Sequence, residues 1–173
     1  MEAGFLSHVD LTVADLVQSI AFYDQVLTRI GYIRPPRPQA SAPPTWFVFG
    51  PRRHFFSMSL FQAKPDGIER RYNRHAPGLN HLAFHVPSRQ HVEDLYAHLC
   101  GIGAKILRAP AEYPYTPGYY AVFFADPDGM KLEVVFEPAQ GAARDACPAC
   151  GVLIQKESEG CTSCGLSFEP ATG

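Results

Sequence analysis

The chain has 173 residues and a formal net charge of -2, with 46% hydrophobic and 18% charged residues. This length is enough for one domain with a buried core and a small appendage. The composition is typical of a folded globular protein, and the weak net charge argues against a large nucleic-acid surface. No apolar run approaches the ~20 residues that span a bilayer, and no signal peptide is recognisable, so we expect a cytoplasmic protein.

Hydrophobic periodicity predicts the same order of elements in each half of the chain, namely a strand, a helix and then three strands. In the first half the expected elements are a strand ending near Val13, a helix capped by Asp15 and stopped by Gly31, a loop at 35–44, and strands at 45–50 and 55–61. A polar, basic linker at 63–78 follows, which contains Lys64, Arg70, Arg71, Arg74 and His75. Such a repeat indicates two similar modules, since one half alone leaves a sheet face unburied.

The second half begins with the buried strand 79–86, which carries histidine where a core strand normally carries apolar residues. Ser88 is a suitable cap for the next helix, and Cys100 near its end is expected to be a core residue. A short strand at 104–107 and a hairpin of strands 119–125 and 131–136 complete the pattern, with a strong turn signal at Asp126-Pro-Asp-Gly129.

Three polar residues stand out in these apolar strands. Alternation along a strand places His81 and His85 on one face, and His8 occupies the matching place in the first repeat. Glu133 lies inside an apolar run, where a carboxylate is costly unless a partner pairs with it. Two imidazoles from inner strands are the obvious partners, and a divalent ion held by all three residues would stabilise the group. Taken singly, each residue also fits ordinary structure, as a half-buried histidine or a solvated glutamate.

Segments 8–23, 80–86 and 124–133 together resemble the vicinal oxygen chelate superfamily, also known as the glyoxalase, bleomycin-resistance and extradiol-dioxygenase superfamily. The resemblance covers residues 5–138. It implies an α+β fold in which a domain at 1–138 contains two βαβββ modules, at about 1–63 and 78–138, that form a curved half-barrel.

Matching motif to motif, the resemblance also implies a site. His8, His81 and Glu133 would bind a divalent metal ion, which could be Fe, Mn, Zn or Ni. Single-domain members are often homodimers with sites built across the chains, and their shared chemistry is chelation of a small-molecule substrate through two adjacent oxygens. The expected function is therefore that of a metal-dependent lyase, isomerase or ring-cleaving dioxygenase.

Departures from known subfamilies narrow this prediction. An overlay of the two repeats at Phe61 and Phe136 predicts Met58 at the counterpart of Glu133, where glyoxalase I enzymes carry a second acidic ligand. A thioether is a poor ligand for a hard divalent ion, so glyoxalase I activity is disfavoured. Fosfomycin-resistance transferases share the three ligands but need cations for a phosphonate, and residues 107–125 offer only Arg108 unless the basic linker folds over the site.

Ring-cleaving dioxygenases often use a histidine and a tyrosine near the metal as acid-base groups. His85, Tyr115, Tyr119 and Tyr120 are catalytic candidates by residue type, and plain packing is the alternative for each of them. Two other functions stay open: a metal-free binding protein of the bleomycin-resistance kind, and an interaction protein that works through its C-terminal segment.

Two Cys-x-x-Cys pairs mark that segment, each followed by glycine: Cys147 with Cys150, and Cys161 with Cys164. The pattern resembles a zinc ribbon at 141–173, in which four thiolates hold one structural zinc ion that contributes much of the folding energy. Two disulfides or a redox pair are the alternatives. Beyond Cys147 the sequence has one cationic residue and three glutamates. This charge balance does not favour nucleic acid as a partner.

Overall fold

The computed structural model describes residues 6–49, 55–68, 72–138, 144–146, 153–155, 164–165 and 167. The strands are β1 (His8–Val13), β2 (Thr45–Phe49), β3 (Phe55–Gln62), β4 (Leu82–His85), β5 (Lys105–Glu112), β6 (Tyr120–Ala125), β7 (Lys131–Phe136), β8 (Arg144–Ala146) and β9 (Leu153–Gln155). The helices are α1 (Leu16–Leu27), α2 (Pro65–Ile68) and α3 (Arg89–Gly101), and a 3-10 turn covers Thr28–Ile30. Within these ranges no helix has both the length and the apolar character needed to cross a membrane.

Two mixed sheets confirm the predicted α+β fold. The strand order is β1-β3-β2 in the first sheet and β4-β7-β6-β5 in the second. In each sheet the strand that precedes the helix pairs in parallel with the last strand, and all other pairs are antiparallel. The two modules therefore share one topology.

The first module departs from the expected three strands after its helix. Between residues 28 and 68 the described residues form only two strands, β2 and β3. Ile33 makes a single antiparallel bridge to Phe47 of β2, at the place where β5 pairs with β6 in the second module. The proline-rich stretch that follows Ile33 cannot donate a regular ladder of hydrogen bonds, so the outer strand is reduced to this bridge.

Local sequence signals fix the ends of the helices as predicted. The Asp15 carboxylate accepts the Gln18 backbone N–H at 2.9 Å, which caps α1. The Ser88 hydroxyl accepts the His91 N–H at the start of α3. Gly31 follows the 3-10 turn with a φ of +93°, a left-handed conformation that glycine adopts without strain.

One hydrophobic core spans both modules. It joins the inward faces of the two sheets with the apolar sides of α1 and α3, and its largest fully buried members include Trp46, Tyr23, Phe124, Leu60 and Leu99. The predicted hairpin turn links the modules with polar contacts. The Tyr23 hydroxyl donates to Asp126 at 2.9 Å, and the Ala14 N–H donates to Asp128 at 2.9 Å.

Cys100 lies outside this core. The buried face of α3 carries Val92, Leu95 and Leu99, and the next residue along the helix turns toward solvent, leaving Cys100 exposed. The expectation of a core position for Cys100 was therefore wrong.

Strands β8 and β9 form a two-stranded antiparallel sheet in the C-terminal segment, with Ala146 opposite Leu153. Their connection contains Cys147 and Cys150. These two cysteines and Cys161 lie outside the described residues, whereas Cys164 is described as exposed. The zinc ribbon remains a prediction from the sequence.

Candidate metal centre

The candidate site occupies the face of the second sheet that turns away from the core. Strand pairing places Ala83, Glu133, Phe123 and Arg108 in one row across β4, β7, β6 and β5. Directly paired residues share a face, so all four side chains project to the same side. Ala83 presents only a methyl group, which leaves room above the sheet beside Glu133.

Glu133 is buried and fully partnered. It is 2% exposed, and its Oε2 atom lies 3.2 Å from Nε2 of His81. Its other oxygen, Oε1, accepts a hydrogen bond from the Tyr119 hydroxyl at 2.6 Å. The phenol therefore fixes the rotation of the carboxylate and leaves Oε2 directed at the imidazole.

The His81 ring is oriented from its other side. Its Nδ1 atom lies 2.8 Å from Oδ1 of Asn80, and the Asn80 amide nitrogen donates to the backbone carbonyl of Arg74 at 3.1 Å. Because the amide nitrogen is used, Asn80 presents its oxygen, so Nδ1 of His81 carries the proton. In the neutral ring Nε2 then has a free lone pair that faces the Glu133 carboxylate.

His8 does not join this pair within one chain. It lies exposed at the start of β1 on the first sheet, where its Nδ1 atom is 3.4 Å from the Ser7 hydroxyl. Across the described ranges no three His, Cys, Asp or Glu side chains are close enough together to hold a metal ion. The structure thus brings together His81 and Glu133 and leaves His8 on a separate surface.

The counterpart of Glu133 in the first module is Ser59 and not Met58. In the second module the residue two positions after His81 pairs with Glu133, and in the first module the residue two positions after His8 pairs with Ser59. Met58 is fully buried in the core on the opposite face. The sequence overlay was therefore wrong by one residue, although serine supplies no carboxylate either.

Of the four catalytic candidates, three lie on the Glu133 face. Burial, followed by the hydrogen bond to Glu133, raises the pKa of Tyr119 well above its usual value. Tyr115 is exposed, with its ring edge-on to Tyr119. His85 is exposed on the same face of β4 as Ala83, and its Nε2 atom lies 3.2 Å from the Glu137 carbonyl.

Tyr120 lies on the other face of β6. Its hydroxyl donates to Glu93 of α3, and the Arg89 guanidinium lies over its ring, 5.0 Å from the ring centroid. Strand alternation sends Tyr119 and Tyr120 to opposite sides of the sheet. Tyr120 is therefore removed from the candidate site.

The loop that carries these tyrosines is held against the end of β7. Gly118 has a φ of +80°, and a Cβ atom added there would lie 2.6 Å from Cγ of Pro138. Glycine is required at this close approach. Tyr113, which the sequence reasoning missed, stacks on Tyr115 and packs edge-on against Phe123, so an aromatic wall borders Glu133.

Cations border the site on its other side, where a cleft of about 650 Å³ is lined by Arg74, His75, Arg108, Phe123 and Lys131, among others. Burial lowers the pKa of Lys131, the Glu133 charge opposes this effect, and the charges of Arg74 and Arg108 add to it. The alternation of β7 could have predicted Lys131, since it lies two residues before Glu133. Nothing in the local sequence shows that the linker brings Arg74 back to this cleft.

Comparison with known proteins identifies the family of this chain. Residues 5–134 match the Glyoxalase/Bleomycin resistance protein/Dioxygenase superfamily. The uncharacterized protein YqjT of Bacillus subtilis is 33% identical over 132 residues, which are 75% of this chain and 97% of YqjT. The crystal structure of a candidate glyoxalase from Bacillus halodurans superposes with a TM-score of 0.66 at 32% identity and covers 78% of this chain and 96% of that one.

The fosfomycin resistance protein FosX of Listeria monocytogenes shares the fold alone, with a TM-score of 0.51 at 19% identity and coverage of 80% and 97% of the two chains. The chain described here belongs to the glyoxalase, bleomycin-resistance and dioxygenase superfamily. The cysteine-rich segment lies beyond the residues that match the family.

Proposed function

We propose that this protein is a metal-dependent enzyme whose site combines His81 and Glu133 of one chain with His8 of a second copy. The observation that carries the proposal is the Glu133 carboxylate, which is 2% exposed and held between the His81 ring and the Tyr119 hydroxyl on the sheet face that turns away from the main core. A purely structural glutamate has no need of this position, because an apolar residue there would not require partners.

The donor set fits a divalent metal ion. A metal-binding histidine commonly donates its second N–H to an oxygen acceptor, and Asn80 supplies that acceptor for His81. With Nδ1 hydrogen-bonded to Asn80, a protonated Nε2 can pair directly with the Glu133 carboxylate at 3.2 Å, and in a neutral ring the Nε2 lone pair and that carboxylate could both bind one cation. The Tyr119 hydrogen bond plays the same orienting role for Glu133.

A second copy is proposed as the source of His8 because the open face of the first sheet needs a cover. This face carries His8 and three exposed aromatic residues, Phe49, Phe55 and Phe61, with 69%, 49% and 42% of their surface accessible. Exposed aromatic groups clustered on one sheet face are typical of an interaction surface. A two-fold dimer would place each His8 surface beside the Glu133 surface of the partner.

A metal ion held by two histidines and one carboxylate keeps open positions, at which it would polarise two adjacent substrate oxygens. The residues of the chain supply the remaining functions. Because its pKa is raised, Tyr119 stays protonated and acts as a hydrogen-bond donor. His85 and Tyr115, at the exposed edge, are the groups available for proton transfer to or from a bound substrate. The reaction class we propose is that of a lyase, isomerase or ring-cleaving dioxygenase.

The test is complementation between inactive dimers. His8→Ala and His81→Ala variants, carrying different tags, are purified separately and then mixed through co-refolding. If sites form across the chains, a purified heterodimer contains one site with all three ligands and binds about half the site metal of the wild type. If sites form within a chain, it binds none. His91→Ala on α3 is the control for histidine loss away from the sheet face and should retain the full metal content.

Metal analysis also tests the alternatives. Wild-type protein purified without chelators is expected to hold one site metal and one zinc per chain, the zinc being bound by Cys147, Cys150, Cys161 and Cys164. Cys147→Ser should remove the zinc only, and Glu133→Gln the site metal only. A wild type that holds zinc alone would favour a metal-free binding protein of the bleomycin-resistance kind.

A further inference from the structure

The cleft beside Glu133 is lined by three positively charged side chains that, within the described part of the chain, have no negatively charged partner in it. Arg74 comes from the linker, Arg108 from β5 and Lys131 from β7, and all three line the same space of about 650 Å³. The salt bridges found among the described residues are Arg34 with Asp24, His81 with Glu133 and Arg89 with Glu112, so none of the three cations has a carboxylate partner there. Three unpaired cations around one cleft attract an anion.

Two of these cations are positioned by the sheet itself. The Lys131 ammonium lies over the Phe123 ring, 4.0 Å from its centroid. Arg108 pairs with Phe123 across β5 and β6, at a place where the register of β5 shifts on both sides of Arg108. Such bulges commonly redirect a side chain next to a functional site. The sheet therefore directs both charges into the space above Phe123.

The regular spacing of residues and strands in the sheet gives the distances from Lys131 and Arg108 to Glu133. Lys131 lies two residues before Glu133 on the same face of β7, a separation of about 7 Å along the strand. Arg108 lies two strands away from Glu133 in the same row, about 10 Å across the sheet. A single small molecule can reach both places.

The third cation is connected to the metal ligands through the backbone. The carbonyl of Arg74 accepts the Asn80 amide that orients His81, and the Tyr72 hydroxyl donates to the Leu79 carbonyl at 2.9 Å. The linker is thus tied down beside the site, with the Arg74 side chain on the cleft.

We propose that this cleft binds an oxyanion group of the substrate, a carboxylate or a phosphoryl group, through Arg74, Arg108 and Lys131. The Lys131 and Arg108 positions lie about 7 and 10 Å from that of Glu133 in the sheet. The role as a substrate subsite rests on the proposed function, whereas anion binding by the cleft does not. The exposed faces of Leu107 and Tyr115 line the same cleft and offer an apolar wall to the part of the molecule between its two polar ends.

The experiment measures binding of phenylphosphonate, benzoate and neutral benzamide to the full-length chain by isothermal titration calorimetry. The expected result is binding of at least one anion, with benzamide at least about tenfold weaker because it lacks the charge-assisted hydrogen bonds. Whichever anion binds more tightly identifies the phosphoryl or the carboxylate source. Equal affinity for benzamide, or no binding of either anion, would overturn the proposal.

Arg108→Ala and Lys131→Ala should each weaken anion binding about tenfold or more, with the site metal content unchanged. The matched control is Lys105→Ala, which removes a cation from the same strand β5 outside the cleft and should change the affinity less than about twofold. Unchanged affinity in both cleft variants would refute the assignment.

Glu133→Gln separates the two proposals. If this variant loses the site metal and still binds the anion, the cleft is an anion site in its own right. If it loses anion binding together with the metal, the anion binds to the metal and the cleft proposal fails. If wild-type protein holds no site metal and yet binds the anion through Arg108 and Lys131, the metal-dependent function fails and the anion site stands.

Discussion

Replacing Tyr119 with phenylalanine tests whether the hydrogen bond to Glu133 prepares a metal ligand. The variant removes one oxygen atom and keeps the ring that packs beside Phe123 and Tyr115. The bond it deletes is 2.6 Å long and ends on a carboxylate that is 2% exposed. We expect weaker metal binding, because the carboxylate then rotates freely relative to His81.

The expected loss follows from the kind of bond. A hydrogen bond to a charged group contributes about 1.5–3 kcal/mol, and a lost outer-shell partner of a metal ligand commonly costs 10- to 100-fold in affinity. The two ranges agree, since each tenfold change corresponds to about 1.4 kcal/mol. Tyr119 is half-buried, so a water molecule can enter beside Glu133 and hold the loss near the lower end, about tenfold.

The assay is an equilibrium titration of the full-length chain with the divalent ion that the wild type retains. Before the titration the candidate site is depleted of metal, and the cysteine segment is kept loaded with zinc. Tyr120→Phe is the matched control, because it removes the neighbouring hydroxyl, whose partner Glu93 lies on the opposite side of the sheet. Its affinity should equal that of the wild type. The reasoning is refuted if Tyr119→Phe binds as tightly as the wild type, or if both variants lose the same amount.

Two further predictions concern register and pH. Met58→Glu should lower the free energy of unfolding by about 3 kcal/mol or more, since it puts a carboxylate into the core, whereas Phe61→Glu, at an exposed position on the opposite face of β3, should cost far less; equal losses in urea unfolding would contradict the register. Tyr23→Phe should cost about 1.5–3 kcal/mol at pH 8 because it leaves Oδ2 of buried Asp126 without its side-chain donor, with Tyr32→Phe as the control. Burial, and then the Asp126 charge, raises the pKa of Tyr23, so this stabilisation is fully present below about pH 10, where the unfolded phenol titrates, and is lost as the pH rises further; a gap between wild type and variant that stays constant up to pH 11 would contradict it.

Local signals in the sequence were sufficient for much of the fold. The Asp15 and Ser88 caps, the stop at Gly31 and the turn at 126–129 depend on residues within a few positions of each other, and all are found as predicted. The burial of Glu133 also follows from a local pattern, because a carboxylate inside an apolar strand is conspicuous.

The parts that failed depend on register and tertiary arrangement. The Met58 overlay compared distances along the chain from Phe61 and Phe136, and an error of one residue moves a strand residue to the opposite face. Tyr119 and Tyr120 were equivalent candidates by residue type. Their hydrogen bonds to Glu133 and Glu93 place them on opposite faces of the sheet. The sequence left open that the basic linker folds over the site, but no pattern along the chain could show that Arg74 lies at the cleft beside Lys131.

The divergence of the two modules explains why neither half can complete the proposed site alone. The second module has a carboxylate in its central row and cations beside it, whereas the first has Ser59 at the matching place and exposed phenylalanines around His8. Pairing two second modules would bring two carboxylates together and would leave the aromatic face of the first module uncovered. Pairing two first modules would supply no carboxylate. Only a pairing of unlike modules gives one carboxylate, two histidines and a covered aromatic face. Because a chain's own His8 lies apart from its Glu133, a two-fold dimer satisfies this requirement twice, once at each of two equivalent sites.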